Sequence, residues 1–166
     1  MRTGRYLWGT LALLLCGLLG ACANGGSGGS GQKASQVVLS LSSTRTPGGE
    51  TVTLHAANAS DLHQLSCRIA YNPQALRFLE AERGGLVDSR ALFFTTAKGR
   101  EYVPVAFTYH AGEAIPGGSG EIAQLHFEVL DTRADPGLRL ITASEVLVAR
   151  DALRRDIPVR VEGAAE

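Results

Sequence analysis

The fold of this chain is decided by residues 65–79, which read Leu-Ser-Cys-Arg-Ile-Ala-Tyr-Asn-Pro-Gln-Ala-Leu-Arg-Phe-Leu. In the first half of this segment every second side chain is apolar, which is the period of a strand with one buried face. The inward positions are Leu65, Cys67, Ile69 and Tyr71. Pro73 then ends the strand, because it offers no N–H group and biases Asn72 away from helical geometry. The chain must turn before Leu76, Phe78 and Leu79 return to the core.

Short apolar segments of the same kind recur along the chain and predict an all-β fold. Turn sequences such as Pro47-Gly48-Gly49, Lys98-Gly99 and Asp135-Pro136-Gly137 separate them. The predicted strands are residues 37–41, 51–56, 65–71, 77–81, 91–96, 102–109, 122–130, 138–141 and 157–161. Many short strands divided by turns are typical of a β-sandwich, here of about nine strands. Residues 143–155 are the exception, because periodicity alone favours a helix there.

Three motifs in a fixed order resemble the cohesin family. They are Gly49-Glu-Thr-Val-Thr-Leu54, the strand ending in Tyr71-Asn-Pro73 before Leu76-Arg-Phe78, and Gly120-Glu-Ile-Ala-Gln-Leu-His-Phe127. Cohesins carry a Gly-Asp-Thr-Val-type strand, a Tyr-Asp-Pro strand end before Leu-x-Phe, and a Gly-x-(Ile/Leu)-Ala-x-Leu-x-Phe strand. The resemblance spans residues 36–163 and implies a jelly-roll β-sandwich. It also favours a strand at 145–149 over a helix.

The amino-terminal segment predicts a lipid anchor. Arg2 and Arg5 precede the apolar segment 7–19, and Leu19-Gly-Ala-Cys22 forms a lipoprotein box. Residues 1–21 are therefore predicted to be a signal peptide, and Cys22 the lipidated residue. An uncleaved membrane-spanning helix is disfavoured, because the segment is shorter than the roughly 20 residues that a span needs.

Behind the anchor the predicted domain order is simple. Residues 22–35 combine the lipidated cysteine with a Gly/Ser-rich tether, residues 36–163 form the sandwich, and 164–166 are a tail. We expect a cell-envelope, extracytoplasmic location. Ala23 after the cysteine permits outer-membrane sorting in a Gram-negative host, where Asp commonly retains lipoproteins on the inner membrane.

Charge and cysteine content exclude several function classes. The precursor has 16 basic and 16 acidic residues, and removal of Arg2 and Arg5 leaves 14 against 16, a net charge of −2. A nucleic-acid partner would require a basic surface, so none is expected. Cys16 lies in the signal and Cys22 is the acylation site, which leaves Cys67 without a disulfide partner. Its inward parity predicts a buried, inert thiol.

The sequence predicts neither catalysis nor a metal or other cofactor. The four histidines, His55, His63, His110 and His126, follow no metal-ligand spacing, and His55 and His126 are expected on a solvated face. Glu80 and Glu82 would lie about 7 Å apart on one strand face. No apolar pocket accompanies them, as a hydrolytic carboxylate pair would require.

The resemblance places the function on a flat sheet face. In cohesins the third, fifth, sixth and eighth strands form a sheet that docks dockerin, a small calcium-loaded helical module. The outward positions carried over to this chain are Gln64, Ser66, Arg68, Ala70, Tyr102, Pro104, Ala106, Glu145 and Leu147, with Ala149 beyond them. Cohesins of cellulose-degrading assemblies commonly have Asn and Asp where this chain has Gln64 and Ser66, so the usual dockerin is in question.

The predicted function is thus a lipid-anchored protein-binding module, with a dockerin-like or other envelope partner and a link to polysaccharide degradation. Direct polysaccharide binding is the second hypothesis. It is weakened because Trp8 belongs to the signal and Tyr102 is the one candidate aromatic platform. A structural part in a secretion or pilus machine is the third.

Replacement of Cys22 by Ser is expected to abolish acylation and to block processing by the lipoprotein signal peptidase, because the thiol is the acceptor of the lipid. Incorporation of labelled fatty acid in the native host measures this. Label in the Cys22→Ser protein equal to that in the parent would refute the lipoprotein prediction.

Overall fold

The computed structural model describes residues 36–96, 101–115 and 117–163. The predicted signal peptide, the acylation site Cys22, the whole tether, the turn at Lys98-Gly99 and the tail 164–166 lie outside these residues.

Ten strands make up the regular structure of the described residues. They are β1 (Val37–Thr46), β2 (Gly49–Ala57), β3 (Leu62–Ala70), β4 (Leu76–Arg83), β5 (Leu92–Thr95), β6 (Tyr102–Thr108), β7 (Gly120–Val129), β8 (Arg139–Leu140), β9 (Val148–Asp151) and β10 (Val159–Glu162). One sheet has the order β10-β1-β2-β7-β4. The other has the order β5-β6-β3-β8, with β9 also paired to β3. The two sheets confirm the predicted all-β sandwich.

The core lies between the two sheets and is built mainly by alternation of inward and outward residues. On β3 the inward residues Leu65, Cys67 and Ile69 are fully buried, as predicted. Leu54 of β2 and Leu125 of β7 are fully buried on the inner face of the opposite sheet. Burial of each Leu or Ile side chain stabilises the fold by about 1.5–3 kcal/mol. Turning a strand over would expose all of its apolar side chains, so the alternation fixes which face of the strand points inward.

Residues 65–79 pack into the core through an aromatic cluster and contain a tight turn. The ring of Phe127 lies 5.2 Å from that of Tyr71 and 5.6 Å from that of Phe78. Asn72 holds the turn between them, because its Oδ1 accepts from the N–H of Gln74 at 3.0 Å. Its carbonyl accepts from Leu76 at 2.9 Å. The break that Asn72-Pro73 predicts is therefore confirmed.

The region that favoured a helix by periodicity contains a single turn followed by a strand. The carbonyl of Ala143 accepts from Val146 at 2.9 Å and from Leu147 at 3.0 Å, which accounts for the helical spacing over this short stretch. The strand itself is β9, Val148–Asp151, and begins three residues after the predicted 145–149. Asp151 ends it, since its Oδ1 accepts from the backbone N–H groups of Leu153 and Arg155.

Residues 32–166 form one compact unit. The buried core residues of the described chain lie between Val37 and Ala149, and both sheets are complete within this unit. A unit that holds its own core and its own strand pairings has what it needs to fold independently.

Gly84 follows β4 at a point of close backbone contact with β7. Its N–H donates to the carbonyl of Ile122 at 2.8 Å. A Cβ at this position would lie 2.3 Å from the carbonyl oxygen of Glu121, whereas a Cβ on the neighbouring Gly85 would meet no atom within 4 Å.

Gly84→Ala is therefore expected to lower the free energy of unfolding by about 1–3 kcal/mol, because backbone atoms must move to admit the methyl group. Gly85→Ala is the matched control and should stay within about 0.5 kcal/mol of the parent. Urea denaturation of residues 32–166 measures both. Equal stability of the two variants would contradict the close contact.

Candidate functional site

The outer surface of the sheet that contains β3 is arranged in rows set by strand register. We call this surface the β3 face. Its first row, across the sheet, is Leu92, Thr108, Gln64 and Arg150, and its second is Phe94, Ala106, Ser66 and Val148. Pro104 and Arg68 form the third row, and Tyr102, Ala70 and Arg139 form the fourth. Paired residues in an antiparallel ladder share a face, so these side chains lie together.

Seven of the nine predicted positions lie on this face. They are Gln64, Ser66, Arg68, Ala70, Tyr102, Pro104 and Ala106. Ala70 is only 6% exposed, so it offers little surface of its own to a partner. The inward parity that places the others outside is confirmed by the buried residues Val103, Val105 and Phe107 of β6.

The two predicted positions near β9 are not on the paired strand. Glu145 lies exposed in the turn that precedes β9, and Leu147 packs partly buried against the core. Ala149, expected to point outward, is buried at 3% exposure. Because β9 starts later than predicted and pairs Val148 with Ser66, the outward residues of this strand are Val148 and Arg150.

Sequence analysis missed two exposed apolar side chains on β5. Leu92 is 63% exposed and Phe94 is 61% exposed, while Phe93 between them packs against the core. The segment Leu-Phe-Phe-Thr is apolar on both faces, so its composition does not reveal its parity. The pairing of Phe93 with the inward Phe107 of β6 decides it.

Basic side chains lie on the side of the face away from β5. The guanidinium of Arg68 stacks over the ring of Tyr102, 4.8 Å from its centroid. Arg139 is exposed at the end of the fourth row, and Arg150 pairs with Asp156 at 3.1 Å. Within the described residues, no carboxylate lies within 4 Å of the guanidinium nitrogens of Arg68 or Arg139.

The outer face of the sheet β10-β1-β2-β7-β4 carries polar side chains that are hydrogen-bonded to one another. The Ser42 hydroxyl lies 3.0 Å from His55 Nε2, and the Thr51 hydroxyl lies 3.2 Å from His126 Nδ1. Gln124 donates to Glu121 at 2.8 Å. These side chains satisfy one another, and the two histidines lie on the outward face as predicted. Five large apolar side chains are exposed among the described residues. Leu79, predicted to return to the core, is 56% exposed at the bulge of β4, and Leu130 and Leu153 are exposed after β7 and β9. Leu92 and Phe94 are the two that share one sheet face, and they mark the β3 face as the candidate interaction surface.

The described residues offer little support for a hydrolytic carboxylate pair, a small-molecule pocket or a metal site. Glu80 and Glu82 are both exposed on β4. A cleft of about 130 Å³ near Leu41, Leu138 and Val161 is smaller than the roughly 300 Å³ of a typical ligand pocket. In residues 36–96, 101–115 and 117–163, no three His, Cys, Asp or Glu side chains gather as metal ligands do. The same residues contain no helix long and apolar enough to cross a bilayer.

The architecture is that of the cohesins, as comparison with solved structures shows. A non-cellulosomal cohesin from the archaeon Archaeoglobus fulgidus is 18% identical, with a TM-score of 0.62 over 76% of this chain and 86% of that one. The sixth cohesin of scaffoldin B from Acetivibrio cellulolyticus, solved in complex with a Cel5 dockerin mutant, is 16% identical, with a TM-score of 0.64 over 76% and 94%. The type II cohesin A11 from Bacteroides cellulosolvens is 12% identical, with a TM-score of 0.60 over 75% and 94%.

The resemblance that the sequence motifs indicated is thus confirmed at the level of the fold. Neither family models nor curated proteins match the chain by sequence. At 12–18% identity the similarity shows the fold alone.

Cys67 lies on the inner side of β3, between the outward Ser66 and Arg68, and reports the orientation of the strand. Burial removes water from its thiol and raises the pKa to about 12. At pH 8 the thiolate fraction would be on the order of 10⁻⁴, and the thiolate is the reactive form.

Native residues 32–166 are therefore expected to react with a thiol reagent at least about 100-fold more slowly than the same protein in denaturant. Spectroscopic thiol titration with and without guanidinium chloride measures both rates. Rapid labelling of the folded protein would mean that β3 is inverted, and that the outward residues of the β3 face are wrongly assigned.

Proposed function

We propose that this chain is a non-catalytic, extracytoplasmic module that binds another protein through its β3 face. The observation that carries the proposal is the pair of large apolar side chains exposed side by side on β5. Leu92 and Phe94 lie on the β3 face in rows that also contain Ala106 and Val148, whereas the exposed Leu79 and Leu130 of the other sheet lie at the bulge of β4 and after the end of β7. Exposed aromatic anchors that are flanked by small residues are typical of protein interfaces.

The cohesin architecture supports a partner of the dockerin type. The similar Acetivibrio structure is described as a cohesin in complex with a dockerin. This chain departs from the usual cohesin pattern at Gln64 and Ser66, which occupy the middle of the first two rows. We therefore propose a dockerin-like or other envelope protein with its own matching surface, in a setting linked to polysaccharide degradation.

Membrane attachment through Cys22 completes the proposal. A lipidated cysteine would hold the module at an envelope membrane, in the outer membrane of a Gram-negative host. The tether from residue 22 to residue 35 would give a root-mean-square reach of roughly 20 Å, by the scaling of Gly-rich chains. The β3 face would then meet partners close to the membrane surface.

Direct polysaccharide binding is the second candidate, and the exposed ring of Phe94 is the observation that favours it. Sugar-binding faces usually present several planar rings. Phe94 shares its row with Ala106, Ser66 and Val148, and one side of the Tyr102 ring is stacked against Arg68. A protein partner suits this surface better, and the same holds if that partner belongs to a secretion or pilus machine.

Ala106→Arg is expected to weaken partner capture at least about tenfold, because a long charged side chain would lie at the centre of the β3 face. The matched control is Thr53→Arg, on the outer face of the other sheet. Both changes should leave the free energy of unfolding within about 0.5 kcal/mol of the parent. Quantitative pull-down of envelope proteins from the native host with immobilised residues 32–166 compares the three proteins.

Equal capture by the Ala106→Arg protein and the parent would refute the β3 face as the binding surface. A parallel assay with insoluble polysaccharide separates the second candidate. Retention on polysaccharide with no protein captured would overturn the proposal of a protein partner and favour direct glycan binding.

A further inference from the structure

Apolar and basic side chains divide the β3 face into two halves. Leu92 and Phe94 lie at the β5 edge and are 63% and 61% exposed. Arg68, Arg139 and Arg150 project from β3, β8 and β9 on the other side. The centre between the halves is formed by small side chains, Ala106 and Ser66.

The charge on this face is mainly positive. The four rows together hold three arginines, and one carboxylate, Asp156, is bridged to Arg150 at the end of the first row. The whole chain, in contrast, has 16 basic and 16 acidic residues, so overall composition does not explain the local excess. Arg150 is paired with Asp156, whose side chain is 83% exposed, but the described structure shows no ion pair for Arg68 or Arg139.

The side chain of Arg68 is restricted by its contact with Tyr102. Its stacking on Tyr102 restricts the guanidinium over the sheet, which reduces the conformational freedom that a contact with a partner would remove. A guanidinium held in this way can bind a carboxylate through two parallel N–H···O bonds.

We infer that the partner of the β3 face is a protein surface with acidic side chains opposite Arg68 and Arg139, and with an apolar patch that receives Leu92 and Phe94. This inference rests on the proposed protein-binding function and names the chemistry of the partner at that site. The partner's carboxylates would orient it on the β3 face and raise the rate of association. Burial of Leu92 and Phe94 would supply most of the binding free energy. With strands about 4.8 Å apart and a rise of about 3.4 Å per residue, Phe94 lies roughly 12 Å from Arg68 and roughly 20 Å from Arg139, distances that one compact protein surface can span.

The test uses a displayed library of three-helix scaffolds with randomised surface positions, selected on immobilised residues 32–166. Scaffolds that also bind the Ala106→Arg protein are removed, so that only ligands of the β3 face are scored. The expected result is enrichment of Asp and Glu together with Leu, Ile and Phe, relative to the unselected library. Binding of these scaffolds should weaken at least about tenfold between 0.05 and 0.5 M NaCl, because exposed charge pairs are screened by salt.

The charge is tested by a second selection on the double variant Arg68→Glu with Arg139→Glu, which should instead enrich Lys and Arg. Arg77→Glu with Arg83→Glu on β4 gives the same change in net charge outside the β3 face, and should still select acidic scaffolds. Leu92→Ser with Phe94→Ser should remove the enrichment of apolar residues.

Four outcomes would overturn the inference. Scaffolds without acidic enrichment, or an unchanged selection by the Arg68→Glu and Arg139→Glu variant, would refute an acidic partner while leaving a protein-binding face intact. An absence of binders sensitive to Ala106→Arg would refute this surface as a site for acidic, apolar proteins. Concentration-dependent dimerisation in sedimentation, abolished by Ala106→Arg, would show that a second copy of the chain occupies the face instead.

Discussion

The structure depends on the position of β3 at the middle of its sheet with one side sealed in the core. Leu65, Cys67 and Ile69 are fully buried, and the strand pairs with β6 on one side and with β8 and β9 on the other. A slip of one residue would expose all three and bury Arg68, a charge with no partner in the core, so the register is strongly specified. The same constraint that stabilises the core determines which side chains form the β3 face.

Where a strand alternates cleanly, the sequence predicts its orientation. The parities of β3 and β6 follow from their patterns alone, and the Asn72-Pro73 break is found where the missing N–H group of proline requires it. Residues 145–149 carry no such pattern. Their helical spacing reflects the turn at Ala143, and the start of β9 is set by pairing with Ser66, a contact between residues distant in sequence.

Leu92 and Phe94 show the second limit of prediction from sequence. A short strand of apolar residues can bury either side, and β5 is oriented only by its pairing with β6, where Phe93 meets Phe107. The residues that most clearly distinguish the β3 face were therefore the ones that composition could not place. The motifs that resemble cohesins cover β2, β3, β4 and β7, and the parity of β6 follows from its own alternation, but neither signal covers the edge strand β5.

Buried and outward positions of the sandwich are under different physical constraints. Identities of 12–18% with TM-scores near 0.6 show that the fold is shared with cohesins. In such a fold buried positions tolerate mainly apolar exchange, whereas outward positions are limited mainly by solubility. Solubility favours charged and polar residues on an exposed sheet. Leu92 and Phe94 on the β3 face work against it, and across the same face Arg68 and Arg139 form no ion pair within the described residues. A surface that exposes apolar area and an excess of positive charge is stabilised when both are covered together, so the composition of the β3 face argues for a partner that supplies carboxylates and an apolar patch in a single contact.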